Sequence, residues 1–408
     1  MSIISIFNGT FCNVEAVVKA LQQRTGARLL TDTDLVAMAG SLSGLPEPKI
    51  ERAFSAQPSL FNKFTHERER AVAHLRQALA RELEQDALII EGFAGQLIPR
   101  SISHVLKVCL IADLKARTQT ASSAMGVTAP EAVKLIRKQD EDRAAWMHYV
   151  WNANDPWDAG IYDMVLPTDK MEPAAVVNAI VENAGAAVLR RTPRSRKAID
   201  DFKLAAEVEI ALVREGHQVS VAVQDGAVSL TIDKHVLMLG RLENELKAAA
   251  SKVPGVRSVQ TKVGPGFYQA DIYRRQDFNM PSKILLVDDE REFVQTLSER
   301  LLMRDLGSAV AYDGESALEV AREEEPDVMI LDLKMPGIDG IEVLRRVKTT
   351  QPDIEVIILT GHGTDKDRQI CMQLGAFAYL QKPVDVEELS ATIQRANEKI
   401  RARRNLPQ

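Results

Sequence analysis

Four apolar runs in the last third of the chain each lead into a residue able to do chemistry. KILLVDD ends on Asp288 and Asp289, DVMILDL carries Asp332, EVIILTG carries Thr360 and FAYLQKP carries Lys382. Three carboxylates brought together repel one another unless a hard divalent cation joins them. Mg2+ suits such a set, since it prefers one or two carboxylates with waters and a phosphate oxygen. A single lysine and a hydroxyl beside them would complete a site that holds a phosphoryl group on one carboxylate.

These residues can meet only if the runs that carry them lie side by side. From Lys283 onward, short apolar runs alternate with amphipathic helical stretches: KILLVDD, AVAY, DVMILDL, EVIILTG and FAYLQKP are each followed by a helix. Five strand-helix units of this kind predict a parallel sheet covered on both faces, with its functional groups at the carboxyl ends of the strands.

The motifs LLVDDE, ILDLKMPGIDG, ILTGHG and YLQKPVD are highly specific in combination. Residues 282–408 closely resemble the receiver domain of two-component response regulators, which implies a flavodoxin-like fold. By resemblance Asp332 is the phospho-acceptor, and Asp288 and Asp289 hold Mg2+ with help from the backbone carbonyl of Lys334. Lys382 pairs with the phosphoryl oxygens, Thr360 moves to bond the phosphate, and Tyr379 follows it inward. Gly361 leaves room for the phosphodonor, and Pro383 favours a cis bond that aims the lysine. The resemblance also implies a cognate sensor histidine kinase as partner and a homodimer formed through the receiver. No DNA-reading segment is evident after the basic tail RARRNLPQ, so the output is expected upstream or in a partner.

The N-terminal third reads as another α/β unit. SIISIF, ARLLTD, ALIIEGF and VLKVCLIAD are its strands, and one long helix is expected from about Leu60 to Glu84. APEAVKLIRKQDEDRAAW and YDMVLPTDK are similar to the lid helix and last strand of the cytidylate-kinase-like family, and the likeness covers residues 1–188. A phosphate-binding loop of that family needs glycines, a lysine and a hydroxyl. In IFNGTFCNVEAVVKAL only Gly9 remains, while Val14 and Glu15 stand in the lysine and hydroxyl positions, and Phe93 replaces a substrate-binding arginine. Gly9, Arg117, Arg137 and Arg143 are left as a candidate set for a nucleotide or another anion, with Asp140 on the same helix face. The expectation is a kinase fold with a degenerate loop that senses or docks. The alternative is an active nucleoside monophosphate kinase under receiver control. His66, in FTHERERAVAHL, resembles a histidine-kinase site over a short stretch only, and His74 is expected to share its helix face.

Between them, residues 198–268 hold a helix, a hairpin signalled by Asp225-Gly226, a second helix and the strand RSVQTKVG. DGAVSLTI and VPGVRSVQ resemble a BON-type module, a small α+β domain to which no site is assigned. The basic run LRRTPRSRK (189–197) and the polar stretch 273–283 are expected to be linkers.

The 408 residues are 45% hydrophobic and 26% charged, with a net charge of −6. Such a balance suits several globular domains and argues against direct DNA binding by broad phosphate neutralisation. Cys12, Cys109 and Cys371 form neither a disulfide framework nor a zinc pattern. With no export signal or long apolar span, a cytoplasmic protein without membrane contact is expected.

Overall fold

The computed structural model describes residues 3–404 except 58, 235, 237–238, 269–282, 305 and 362. Nearly all of the expected linker 273–283, and with it the boundary expected at 282, lies outside the described residues. By packing, the chain divides into two compact units, 1–58 with 67–273 and 59–66 with 274–408.

The first unit begins with β1 (Ile3–Asn8), α1 (Val14–Thr25), β2 (Arg28–Thr31), α2 (Asp32–Ser43) and α3 (Glu47–Glu51). A short helix of the second unit, α4 (Asn62–Thr65), intervenes before α5 (Glu67–Glu82), β3 (Leu88–Glu91), β4 (Val105–Ile111), α6 (Leu114–Met125), α7 (Ala129–Trp151), β5 (Met164–Pro167) and α8 (Pro173–Ala184). The five strands form a parallel sheet in the order β2-β3-β1-β4-β5. β1 is central and all six of its residues are buried. One face packs Leu35, Leu75, Leu79 and Trp146 from α2, α5 and α7, and the other packs Val17, Leu21, Val177 and Ile180 from α1 and α8. Both α2 and α7 start in capping boxes, Thr31 with Asp34 and Thr128 with Glu131.

Two sequence expectations fail here. The helix expected from Leu60 to Glu84 is broken at His66, whose φ of 50° is left-handed and ends α4. His66 and His74 therefore do not share one helix. The basic run 189–197 is also not wholly a connector. α9 (Pro193–Arg214) starts inside it, with Pro193 in its first turn and Thr192 accepting a bond from the Ser195 N–H.

After α9 come β6 (Ser220–Gln224), β7 (Ala227–Ile232), α10 (Leu239–Ser251) and β8 (Ser258–Val263). β6 and β7 form the expected hairpin through Asp225 and Gly226, both at positive φ, and β8 joins β7 in parallel. Val208, Leu212 and Leu246 of the helices cover one face of this small sheet.

The second unit holds β9 (Ile284–Val287), α11 (Arg291–Leu302), β10 (Ser308–Ala311), α12 (Gly314–Glu324), β11 (Val328–Leu331), α13 (Gly340–Thr350), β12 (Glu355–Thr360), α14 (Asp365–Gln373), β13 (Ala378–Gln381) and α15 (Val386–Arg404). All five strands are parallel, in the order β10-β9-β11-β12-β13, the flavodoxin-like arrangement expected from the sequence. Apolar clusters cover both faces. Val343 and Val347 lie in one, and Val294, Leu301 and Leu389 in the other. No helix among the described residues is long and apolar enough to cross a membrane.

Candidate functional site

Register along the second sheet aligns the expected residues. Val287 pairs with Leu331 and Leu331 with Ile358, so Asp288, Asp332 and the end of β12 reach one edge together. Carboxylate oxygens of Asp288, Asp289 and Asp332 all lie within 4.8 Å of one another. Asp288 and Asp332 are 4% and 6% exposed, whereas Asp289 faces solvent. Three carboxylates this close need a cation partner.

Part of that charge is met by Lys382, whose Nζ donates to Asp288 Oδ2 at 2.5 Å. The other Asp288 oxygen accepts from the Glu290 N–H at 3.0 Å. Burial holds the Asp288 carboxyl above its ordinary value, and these two donors oppose that rise only in part. Asp332 Oδ1 is buried and has no hydrogen-bond partner. A buried oxygen left so is costly, and with two further carboxylates in reach it fits a hard divalent cation. Lys382 follows β13, its N–H bonds the carbonyl of Thr360 at 2.9 Å, and the bond to Pro383 is cis, as the resemblance implied. Its Nζ also sits 4.3 Å from the centre of the Phe293 ring. That ring was not foreseen, because nothing in its spacing marks it.

Thr360 is fully buried at the end of β12, and the Tyr379 hydroxyl is buried without a partner. A Cβ on Gly363 would stand 1.6 Å from that hydroxyl and 2.9 Å from Thr360 Cγ2. Glycine at 363 is thus what lets the phenol lie inward. Gly363→Ala is expected to drive Tyr379 outward, raising its nitration by tetranitromethane severalfold when read on the peptide that contains it; unchanged nitration would show that the loop yields instead.

In the first unit, the chain from Asn8 to Asn13 joins β1 to α1. Phe11 and Asn13 are left-handed, with φ of 61° and 52°. Arg117 Nε donates to the carbonyl of Thr10 at 2.8 Å, and its two terminal nitrogens clamp Asp140 at 2.9 and 2.7 Å. Arg143 Nε donates to the carbonyl of Asn8 at 2.6 Å. The Cys12 sulfur packs against Gly9, 3.0 Å from where a Cβ would be, and burial pushes its thiol up to about 11. The structure therefore brings Gly9, Arg117 and Arg143 together, while Arg137 is exposed on α7.

This arrangement is unlike a phosphate cradle, where backbone N–H groups and cations face the anion. Here the guanidiniums face loop carbonyls and a carboxylate. Glu91, at the end of β3, has its carboxyl pushed up by burial and then by Glu15. Phe93 lies in an aromatic group with Phe7, Phe54 and Trp146, and the turn before it is pinned by Asp32, which accepts the N–H groups of Phe93 and Ala94 at 2.7 and 2.8 Å.

Comparison with known proteins separates the two ends. The family model for the response regulator receiver domain matches residues 284–394, and that for the cytidylate kinase-like family matches residues 3–170. Response regulator MprA of Mycolicibacterium vanbaalenii is 36% identical over 115 residues, 28% of this chain and 50% of that protein. Sporulation initiation phosphotransferase F of Bacillus subtilis is 36% identical over 116 residues, 28% of this chain and 94% of its own length. The chain thus spans about half the length of relatives such as MprA. A receiver domain structure from Clostridium thermocellum is 36% identical, covering 29% of this chain and 97% of that one, with a TM-score of 0.29. With more than a third of residues identical over nearly all of the Bacillus relative, and with the strand order and strand-end acids of its residues 284–394, the chain belongs to the response regulator receiver family.

Proposed function

We propose that this protein is a response regulator that accepts a phosphoryl group on Asp332, and that its first unit senses or docks without phosphotransfer chemistry of its own. The observation that carries the reading is the cluster of Asp288, Asp289 and Asp332 with Lys382 bonded to it. The donor is a phosphohistidine of a sensor histidine kinase or phosphotransfer partner. An Asp332 oxygen attacks phosphorus, an acyl phosphate bond forms, the phosphorus-nitrogen bond breaks, and the imidazole keeps the electron pair. Mg2+, held by Asp288, Asp289, Asp332 and the carbonyl of Lys334, would offset the charge that gathers on the phosphoryl oxygens. Lys382 would exchange Asp288 for a phosphoryl oxygen, and the Thr360 hydroxyl would donate to another. Tyr379 would follow the threonine and reshape the face made by α14, β13 and α15, through which two copies would pair.

Supporting the inert reading of the first unit, Arg117 and Arg143 are engaged by Asp140 and by loop carbonyls. The family match over 3–170 favours a second reading, an active nucleoside monophosphate kinase controlled by Asp332. The α-β-β-α-β order of 193–263 agrees with a BON-like spacer. A cytoplasmic setting without DNA or membrane contact suits all three parts. The test is to incubate the full-length chain with ATP, Mg2+ and each nucleoside monophosphate, before and after phosphorylation. Nucleoside diphosphate at the protein-free level in both states is expected; turnover that changes with phosphorylation would establish the second reading.

A further inference from the structure

Residues 283–404 do not complete their own core. Phe61, from the 59–66 piece of the second unit, is fully buried in the cluster that contains Leu285, Ala317, Ala321, Met329 and Val347. Two residues earlier, Ser59 Oγ donates to Glu324 Oε2 at 2.7 Å, and the Leu60 N–H donates to Oε1 of the same carboxylate at 3.3 Å. Ser59 Oγ also accepts from the Phe61 N–H at 3.2 Å. Leu60 is 54% exposed, so the serine and the phenylalanine enter while the residue between them faces out.

The receiving side is built for this. Glu324 closes α12 and is 5% exposed, and its carbonyl accepts from Lys283 Nζ at 3.1 Å; Lys283 is 6% exposed and its Nζ lies 5.9 Å from the centre of the Phe61 ring. A buried carboxylate is costly unless donors meet it, and here a hydroxyl and a backbone N–H from the 59–66 piece are among those donors. Lys283 precedes β9 and Glu324 lies shortly before β11, so the seat is at the end of the sheet opposite Asp332.

We propose that residues 59–62 are an internal docking peptide, and that Glu324, Lys283 and the adjoining apolar cluster form a docking surface that reads a hydroxyl-x-aromatic motif. Its occupant is this chain's own Ser59-Leu60-Phe61. The surface is separate from the phosphorylation site, and its existence does not depend on whether Asp332 is phosphorylated.

Hydrogen exchange of the full-length chain, read by mass spectrometry on the peptide containing 60–62, tests it. The wild type is expected to show protected amides there. Phe61→Ala and Ser59→Ala should each lower that protection by about tenfold or more, the scale of one lost bond to a charged group, with peptides from β1 and β4 unchanged. If Phe61→Ala fails to fold, Ser59→Ala, which removes one hydroxyl, decides alone. Amides at 60–62 that exchange at the unprotected rate in the wild type, or protection unchanged in Ser59→Ala, would overturn the proposal.

Discussion

Asp332→Asn, made in the full-length chain, is expected to lose labelling by a small-molecule acyl phosphate with Mg2+ by more than about 10³-fold, the scale seen when a nucleophile is removed. Of the three clustered carboxylates, Asp288 is committed to Lys382 and the Glu290 N–H, and Asp289 faces solvent. Asp332 alone among them combines burial with an oxygen that has no hydrogen-bond partner. An asparagine keeps the shape but offers a weakly nucleophilic amide, so the thermal unfolding curve should stay close to that of the wild type. Labelling that survives the substitution would move the acceptor to another residue, while lost labelling together with lost folding would call for the same assay on Asp332→Glu.

The second large effect belongs to the first unit. Arg117→Ala is expected to lower its stability by about 3 kcal/mol, the scale for breaking a buried ion pair. The guanidinium side chain is 8% exposed and that of Asp140 28%, and the substitution removes two bonds to Asp140 and one to the Thr10 carbonyl. Denaturant unfolding of the full-length chain, followed by the fluorescence of Trp146 and its neighbours, measures this. Were Arg117 also a substrate-binding residue of a working kinase, the variant would lose phosphotransfer under conditions where it remains folded. The two readings thus share the loss of stability and differ in whether there is phosphotransfer to lose.

How much of this was legible in the sequence depends on what each feature answers to. The strand-end residues of the second unit were readable because each follows a short apolar run, and a parallel sheet gathers such ends on one edge. The departure of the β1-α1 loop from the usual phosphate-loop pattern was also readable, since Val14 and Glu15 stand where a lysine and a hydroxyl are expected. What spacing could not supply is the pairing of Arg117 with Asp140, contributed by two different helices. Helical periodicity continues through His66, yet the chain turns there into a left-handed conformation, and the burial of Phe61 that accompanies the break is a tertiary matter. The start of α9 did leave a signal in Thr192, Pro193 and Ser195, but the density of basic charge around it reads as a solvated connector. For Gly363 the sequence shows a glycine, and only the packed Tyr379 ring shows why.

The most direct measurement is to phosphorylate the full-length chain with an acyl phosphate and Mg2+, reduce it with borohydride, and map the product by peptide mass. Borohydride converts an aspartyl phosphate to homoserine at the residue that carried it. Homoserine at position 332, and at no other aspartate, is the predicted result. Homoserine elsewhere, or none after full exposure to the donor, would contradict the claim that this chain works by taking a phosphoryl group on Asp332.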